Sequence, residues 1–398
     1  MDDLDFNSEE FSGFGEDWKI IESALPAGWK EAAKEKGALI RAKKFDGPTS
    51  LLRVLLIHLA DGCSLRETAV RAKAGGLASV SDVAILDRLR GSGEWFRWMS
   101  EQMGQRLSEA SQPLLDGRQI KLVDATVVCE PGATGSTWRL HYMIDLTTLT
   151  CEQVHVTQPV EGETLTRFAV HKGDVLMADR GLAHRRGIVH VVKRGGDVVV
   201  RMNLTNVPLE DAKGRKFLLL PQLRKLSIGQ ARSWSAIMRT EDGAIDVRVC
   251  ALKKSAEQTR KAQEKLRKED AKKGRCVRPD TLEAAGYITV LTTLQHESAE
   301  KILDMYRYRW QIELAFKRLK SLLHLGHLKK TDPVGAKAWL QGKLFVASLL
   351  ETLIAVGERF SPWGYILPQG QSEALPVARD RTDAMFAVAC SEPLAEIV

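Results

Sequence analysis

Acidic residues are scarce in this 398-residue chain once one short stretch is set aside. Residues 2–17 hold seven of its 51 Asp and Glu and no base, so against 58 Lys and Arg the rest of the chain carries twice the overall net charge of +7. That imbalance argues against a cationic partner and for a polyanionic one, nucleic acid before acidic membrane. Cysteine is also sparse. Cys63, Cys129, Cys151, Cys250, Cys276 and Cys390 show no CxxC or Cys/His spacing, which excludes a zinc ribbon or a disulfide frame and reads as reduced cytosolic thiols. No basic segment leads into an apolar run at the N-terminus, so no signal peptide is expected. The longest apolar segment, LFVASLLETLIAV (344–356), is short and interrupted by Glu351, and is predicted to be a buried helix rather than a membrane span.

What is present suggests two or three domains. The acidic stretch 1–17 is expected to be disordered. From Trp18 to Met103 the pattern is helical, and SLLRVLLIHLADG followed by SLRETAVRAKAGG suits two helices joined across Asp61-Gly62-Cys63. That pair, with Arg66 and Arg71, reads either as a DNA-binding helix-turn-helix or as a bundle packed on its neighbour. From Gln119 the period changes to that of strands: QIKLVDATVV, TWRLHYMIDL and CEQVHVTQP form a meander, DVLMADRG and DVVVRMN follow, and helices are expected from GETLTRFAV and in HRRGIVHVVKRG. Strands alternating with helices indicate a mixed α/β sheet. Asp124, inside an apolar strand, and Asp179, where a buried strand gives way to a loop, read equally as site carboxylates or as local hydrogen-bond acceptors. Asp145 and Asp174 rank below them.

The segment YRYRWQIELAFKRLK (306–320) places Tyr306, Arg309, Glu313 and Lys320 within about 60° of one another if it forms one helix. Met305, Ile312, Phe316, Leu319 and Leu323 take the opposite arc. Taken alone, the stripe is either a solvated face with i,i+4 ion pairs or the wall of a cleft. The spacing Tyr-x2-Arg-x3-Glu-x6-Lys, with Trp310 and Ile312 inside it, resembles the signature of the DDE transposases of the insertion-sequence-four family. The resemblance implies a ribonuclease H-like mixed sheet flanked by helices, with a β-rich insertion and an N-terminal all-helical DNA-binding domain.

It further implies that Asp124, Asp179 and Glu313 are catalytic and hold two Mg²⁺ ions, with Mn²⁺ as a substitute. Tyr306, Arg309 and Lys320 are then expected on DNA phosphates, with Arg180 and Trp310 beside them and Arg66 and Arg71 on the transposon end. The long interval between Asp179 and Glu313 carries the insertion, including a run with nine Lys/Arg and four acids at 255–279 that is either a solvated helix or a phosphate-contacting one. Tyr287 and Trp234 are candidates for stacking on a base. The expected division is an acidic tail at 1–17, a DNA-binding domain at 18–115, a catalytic core at 116–203 plus 286–330, an inserted domain at 204–285 and a C-terminal helical region at 331–398. The implied partners are double-stranded DNA, as terminal inverted repeats and target, and a second copy in a synaptic homodimer in the bacterial cytosol. The alternatives are a ribonuclease H-like nuclease without strand transfer and a domesticated, inactive DNA-binding protein.

Overall fold

The computed structural model describes residues 18–41, 44–109, 113–130, 137–202, 204–325, 328 and 332–357. The expected acidic tail and residues 358–398 of the expected C-terminal helical region lie outside them. The described residues form two compact units: one takes those up to 109, Ala125–Glu161 and those from Ala315, the other 113–124 and Gly162–Leu314.

The first unit opens with helices α1 (Trp18–Ala24), α2 (Trp29–Glu35), α3 (Gly47–Leu59), α4 (Leu65–Ala74), α5 (Asp82–Gly91) and α6 (Gly93–Glu109). Serines start two of them. Ser64 Oγ accepts from the Glu67 N–H and Ser81 Oγ from the Ala84 N–H, both at 3.2 Å, filling donors that a helix N-terminus leaves open. Gly62, at φ 72°, turns the chain between α3 and α4. The apolar faces meet in a core of Leu51, Leu52, Leu55 and Leu59, with Trp95 stacked on Trp29 at 6.1 Å between ring centroids. Strand β1 (Gln119–Val128) enters this unit at Ala125 and is followed by β2 (Trp138–Asp145) and β3 (Cys151–Thr157), antiparallel from Arg139↔Thr157 to Tyr142↔Val154. Gly104 of α6 lies so close to β3 that an added Cβ would fall 2.1 Å from the Cys151 carbonyl oxygen.

In the second unit β1 begins a mixed sheet. The further elements are β4 (Asp174–Ala178), α7 (Arg185–Lys193), β5 (Asp197–Arg201), α8 (Leu219–Leu223), β6 (Ala231–Thr240), β7 (Gly243–Lys253), α9 (Ala256–Lys272), α10 (Pro279–Ala284), β8 (Tyr287–Thr292), α11 (Ala299–Arg307) and α12 (Trp310–Leu322). The strand order here is β1-β4-β5-β8-β7-β6. β1, β4 and β5 run parallel, and β8, β7 and β6 are antiparallel to their neighbours. All five β4 residues are buried, as expected of a central parallel strand covered on both faces. The inserted hairpin β6–β7 is hydrogen-bonded to β8 and so extends this sheet.

The chain closes on α13 (Pro333–Gly357) in the first unit. Its stretch Pro333–Ala355 is long and apolar enough to cross a bilayer, yet 72% of its apolar window is buried. Phe345 stacks on Phe96 at 5.4 Å, which ties α13 to α6.

Two expected helices differ. GETLTRFAV forms only a 3₁₀ turn at Leu165–Arg167, because Thr164 Oγ1 accepts from the Thr166 N–H at 3.2 Å and offers the backbone a competing turn. The motif 306–320 is not one helix. α11 ends at Arg307, and the junction is tightened by i→i−3 bonds: Tyr308 N–H to Met305 O and Arg309 N–H to Tyr306 O at 3.1 Å, then Ile312 N–H to Arg309 O at 3.2 Å. With 3₁₀ geometry there, the 100° count that aligned Tyr306 with Glu313 fails. No glycine or proline marks the break; it accompanies burial of Tyr306 and Arg309.

Candidate active site

β1 and β4 pair in parallel through Val123↔Ala178. Asp124 on β1 and Asp179, just past the end of β4, are therefore the residues that follow this last pair, at the carboxyl end of the paired stretch, where open α/β sheets place their sites. The Asp179 Oδ1 accepts from the Arg180 N–H at 2.6 Å and caps the 3₁₀ turn Arg180–Leu182. Local bonds account for the other two aspartates. Asp145 is fully buried and accepts from the Thr147 and Thr148 N–H groups at 2.8 and 3.1 Å, and Asp174 accepts from the His171 N–H at 2.7 Å.

Arg309 joins the strand end to α12. Its guanidinium lies 3.5 Å from the Asp124 carboxylate and 2.5 Å from that of Glu313. The Arg309 side chain is 13% exposed, Asp124 20% and Glu313 58%. Burial alone would lower the Arg309 pKa, but Tyr306, Glu313 and Asp179 outweigh it and hold the group above its ordinary value. The Tyr306 hydroxyl is buried with no hydrogen-bond partner among the described residues, and burial raises its pKa well beyond the usual phenol range. Arg309, Trp310, Glu313 and Asp179 line a cleft of about 1030 Å³ within the second unit.

A model of the transposase DDE domain matches residues 116–349. The putative transposase InsL for insertion sequence element IS186A of Escherichia coli (strain K12) is 33% identical over 357 residues, which is 87% of this chain and 96% of that relative. The transposase for insertion sequence element IS421 of Escherichia coli is 33% identical over 358 residues, with the same coverage. The chain belongs to the DDE transposase family. Among solved structures, a cryo-EM structure of a piggyBac transposase synaptic complex with hairpin DNA aligns with 95% of this chain and 80% of that one, at TM-score 0.45 and 9% identity.

DDE transposases generally work with divalent metal ions. The donor chemistry here fits: three carboxylates supply the hard oxygen ligands that such cations prefer. Among the described residues no three His, Cys, Asp or Glu side chains converge at metal distance, and the Arg309 guanidinium contacts both Asp124 and Glu313.

The remaining expected residues of this DDE transposase are spread more widely. Tyr287 on β8 also lines the cleft, buried to 8% exposure, with the Lys253 ammonium 5.9 Å from its ring centroid. Trp234 sits on β6 opposite Val249, with the Arg232 guanidinium 5.9 Å from its ring centroid, and is not part of the cleft wall. Lys320 lies further along α12. Arg66 and Arg71 on α4 are exposed and paired, Arg66 with Asp82 at 3.4 Å and Arg71 with Glu67 at 2.8 Å. Of the basic run, Lys265 on α9 faces the cleft.

Cleft cations missed in the sequence include Arg201 at the end of β5, Lys254 just after β7, Lys216 and Arg224. The signal that exposed Asp179, an apolar strand ending on a charge, is present in VVVR and VCALKK as well.

Proposed function

We propose that this DDE transposase cuts an insertion sequence free at its terminal inverted repeats and joins the 3′ ends to target DNA, with Asp124, Asp179 and Glu313 as its catalytic carboxylates. The observation that carries the reading is that Asp124 and Asp179 directly follow Val123↔Ala178, the last pair of the parallel strands β1 and β4, with Glu313 tied to Asp124 through Arg309. Two divalent ions of the Mg²⁺ class, or Mn²⁺ in their place, held by the three carboxylates, would supply Lewis-acid polarisation of the phosphodiester and activation of the attacking hydroxyl.

The protein's own groups orient the strand. Arg309, once turned from the carboxylates, offers a planar fork for a phosphate, and Lys320 offers a point charge. Tyr306 has an unused hydroxyl donor at the same place. In this reading residues 18–115 bind the transposon end, 116–203 with 286–330 cut it, and 204–285 add contacts through α9. A synaptic homodimer in the bacterial cytosol would bring two ends together.

The test is cleavage of a duplex that contains the element's own end. Asp124→Asn, Asp179→Asn and Glu313→Gln should each abolish cleavage and leave end binding intact, and near-normal cleavage by any one of them would remove that residue from the set. Pre-cleaved ends should be joined to target DNA. A protein that cuts but never joins them would be a nuclease.

A further inference from the structure

A cluster of cations in the second unit is not used by the carboxylates or by the α12 motif. Lys254 is 5% exposed and lines the cleft with Arg201, which ends β5, and Arg180, from the turn after β4. The ends of β5 and β7 and the turn after β4 thus bring three positive groups to one cleft, near enough for Arg201 and Arg180 to act on Lys254. Among the described residues, none of the three is in an ion pair. Burial pushes the Lys254 ammonium down to about 8, and Arg201, Arg180 and Lys265 act in the same direction. Burial also lowers the Arg201 pKa.

A buried ammonium such as Lys254, set beside the half-buried Arg201 and the exposed Arg180 with no paired acid among the described residues, raises the energy of the protein that holds it. Asp179 offsets part of the charge at Arg201, but no acid acts on Lys254 in the same way: Asp179 caps the turn at Arg180, Glu313 is bonded to Arg309, and Glu269 and Asp280 lie elsewhere on the cleft lining. An anion seated among the three would offset both the lost hydration and the mutual repulsion. The cleft is far larger than one free phosphate and carries the aromatic rings of Tyr287 and Trp310, which suits a nucleotide strand.

We propose that Lys254, with Arg201 and Arg180 beside it, forms a phosphodiester subsite adjoining the Tyr306–Arg309 end of the motif, which takes one backbone phosphate of a DNA strand lying in the cleft. This rests on the transposase reading. Above about pH 8 the Lys254 amine of the free protein is largely neutral and gains a proton when a phosphate arrives, so the strand itself completes the charge there.

The test is calorimetric titration of the full-length protein with a short duplex, at pH values on either side of 8 and in buffers of different ionisation heat. Wild type should take up a proton on binding above that pH and bind more weakly as pH rises. Lys254→Arg should bind without uptake and with no pH trend in this range. Lys254→Met should bind about tenfold more weakly, with the slope of log affinity against log salt reduced by about 0.9. Lys254→Met matching wild type in affinity and slope, or uptake persisting in Lys254→Arg, would overturn the subsite. Uptake driven by inorganic phosphate alone and absent with DNA would overturn it too. Failure of both wild type and Asp124→Asn to bind any duplex would instead sink the transposase reading beneath it.

Discussion

Replacing Arg309 with methionine separates the two jobs given to this guanidinium. In a medium of effective dielectric about 20, unit charges 3.5 Å apart attract by roughly 5 kcal/mol. Asp124 and Arg309 are both mostly buried, so desolvation offsets part of that attraction, leaving about 1–3 kcal/mol. The contact with the more exposed Glu313 adds no more than about 0.5 kcal/mol. Methionine keeps the apolar stem and removes the charge, so metal-free Arg309→Met should unfold in denaturant with about 1–3 kcal/mol less stability than wild type. The same change removes a cation that competes for both carboxylates. Mn²⁺, followed by electron paramagnetic resonance, should therefore bind about tenfold more tightly to the variant. Unchanged stability together with unchanged or weaker Mn²⁺ binding would refute the account of Arg309 as a bridge between carboxylates.

Two further outcomes follow from the first unit. Burial pushes Glu351 up to about 7 against an ordinary 4.5, although the Cys151 N–H donates to it. A carboxyl whose folded pKa is raised contributes stability that is full below 4.5 and is lost as pH rises through about 7. Glu351→Gln should flatten that fall and be the more stable form at neutral pH by roughly 3 kcal/mol at most, read from denaturant melts across pH; parallel wild-type and variant curves would exclude it. Gly104→Ala should cost about 3 kcal/mol or more, since its Cβ would meet the Cys151 carbonyl oxygen at 2.1 Å, and an unshifted thermal midpoint would refute the close approach of α6 to β3.

Much of the site was legible because its residues stand in local patterns. Asp124 and Asp179 are visible as charges at strand positions where apolar runs gave the period away, and β1 has the bounds of QIKLVDATVV. Their places directly after the last pair of β1 and β4 were not legible, since a parallel register is set by non-local hydrogen bonds and no short turn fixes it. The helical stripe at 306–320 was legible as a motif and misleading as geometry. Its residues are all good helix partners, and only the tertiary burial of Tyr306 and Arg309 accompanies the tightened turn between α11 and α12. The insertion was visible as a surplus of residues, but its hairpin could not be assigned to the same sheet without the pairing of β7 with β8.

By itself the sequence determined the basic character of the chain, most of its strands and helices, and the spacing of the transposase motif. Each of these follows from composition, from a period of two or 3.6 residues, or from fixed spacing along the chain, whereas the choice of Asp124, Asp179 and Glu313 was implied by the family resemblance. Tertiary structure alone decided that Arg309 contacts both Asp124 and Glu313, that the Tyr306 hydroxyl is buried without a partner among the described residues, and that Lys254, Arg201 and Arg180 line one cleft. Those groups come from strand ends and turns far apart in the chain, and their charges act through space rather than along the backbone, so no local pattern encodes their meeting.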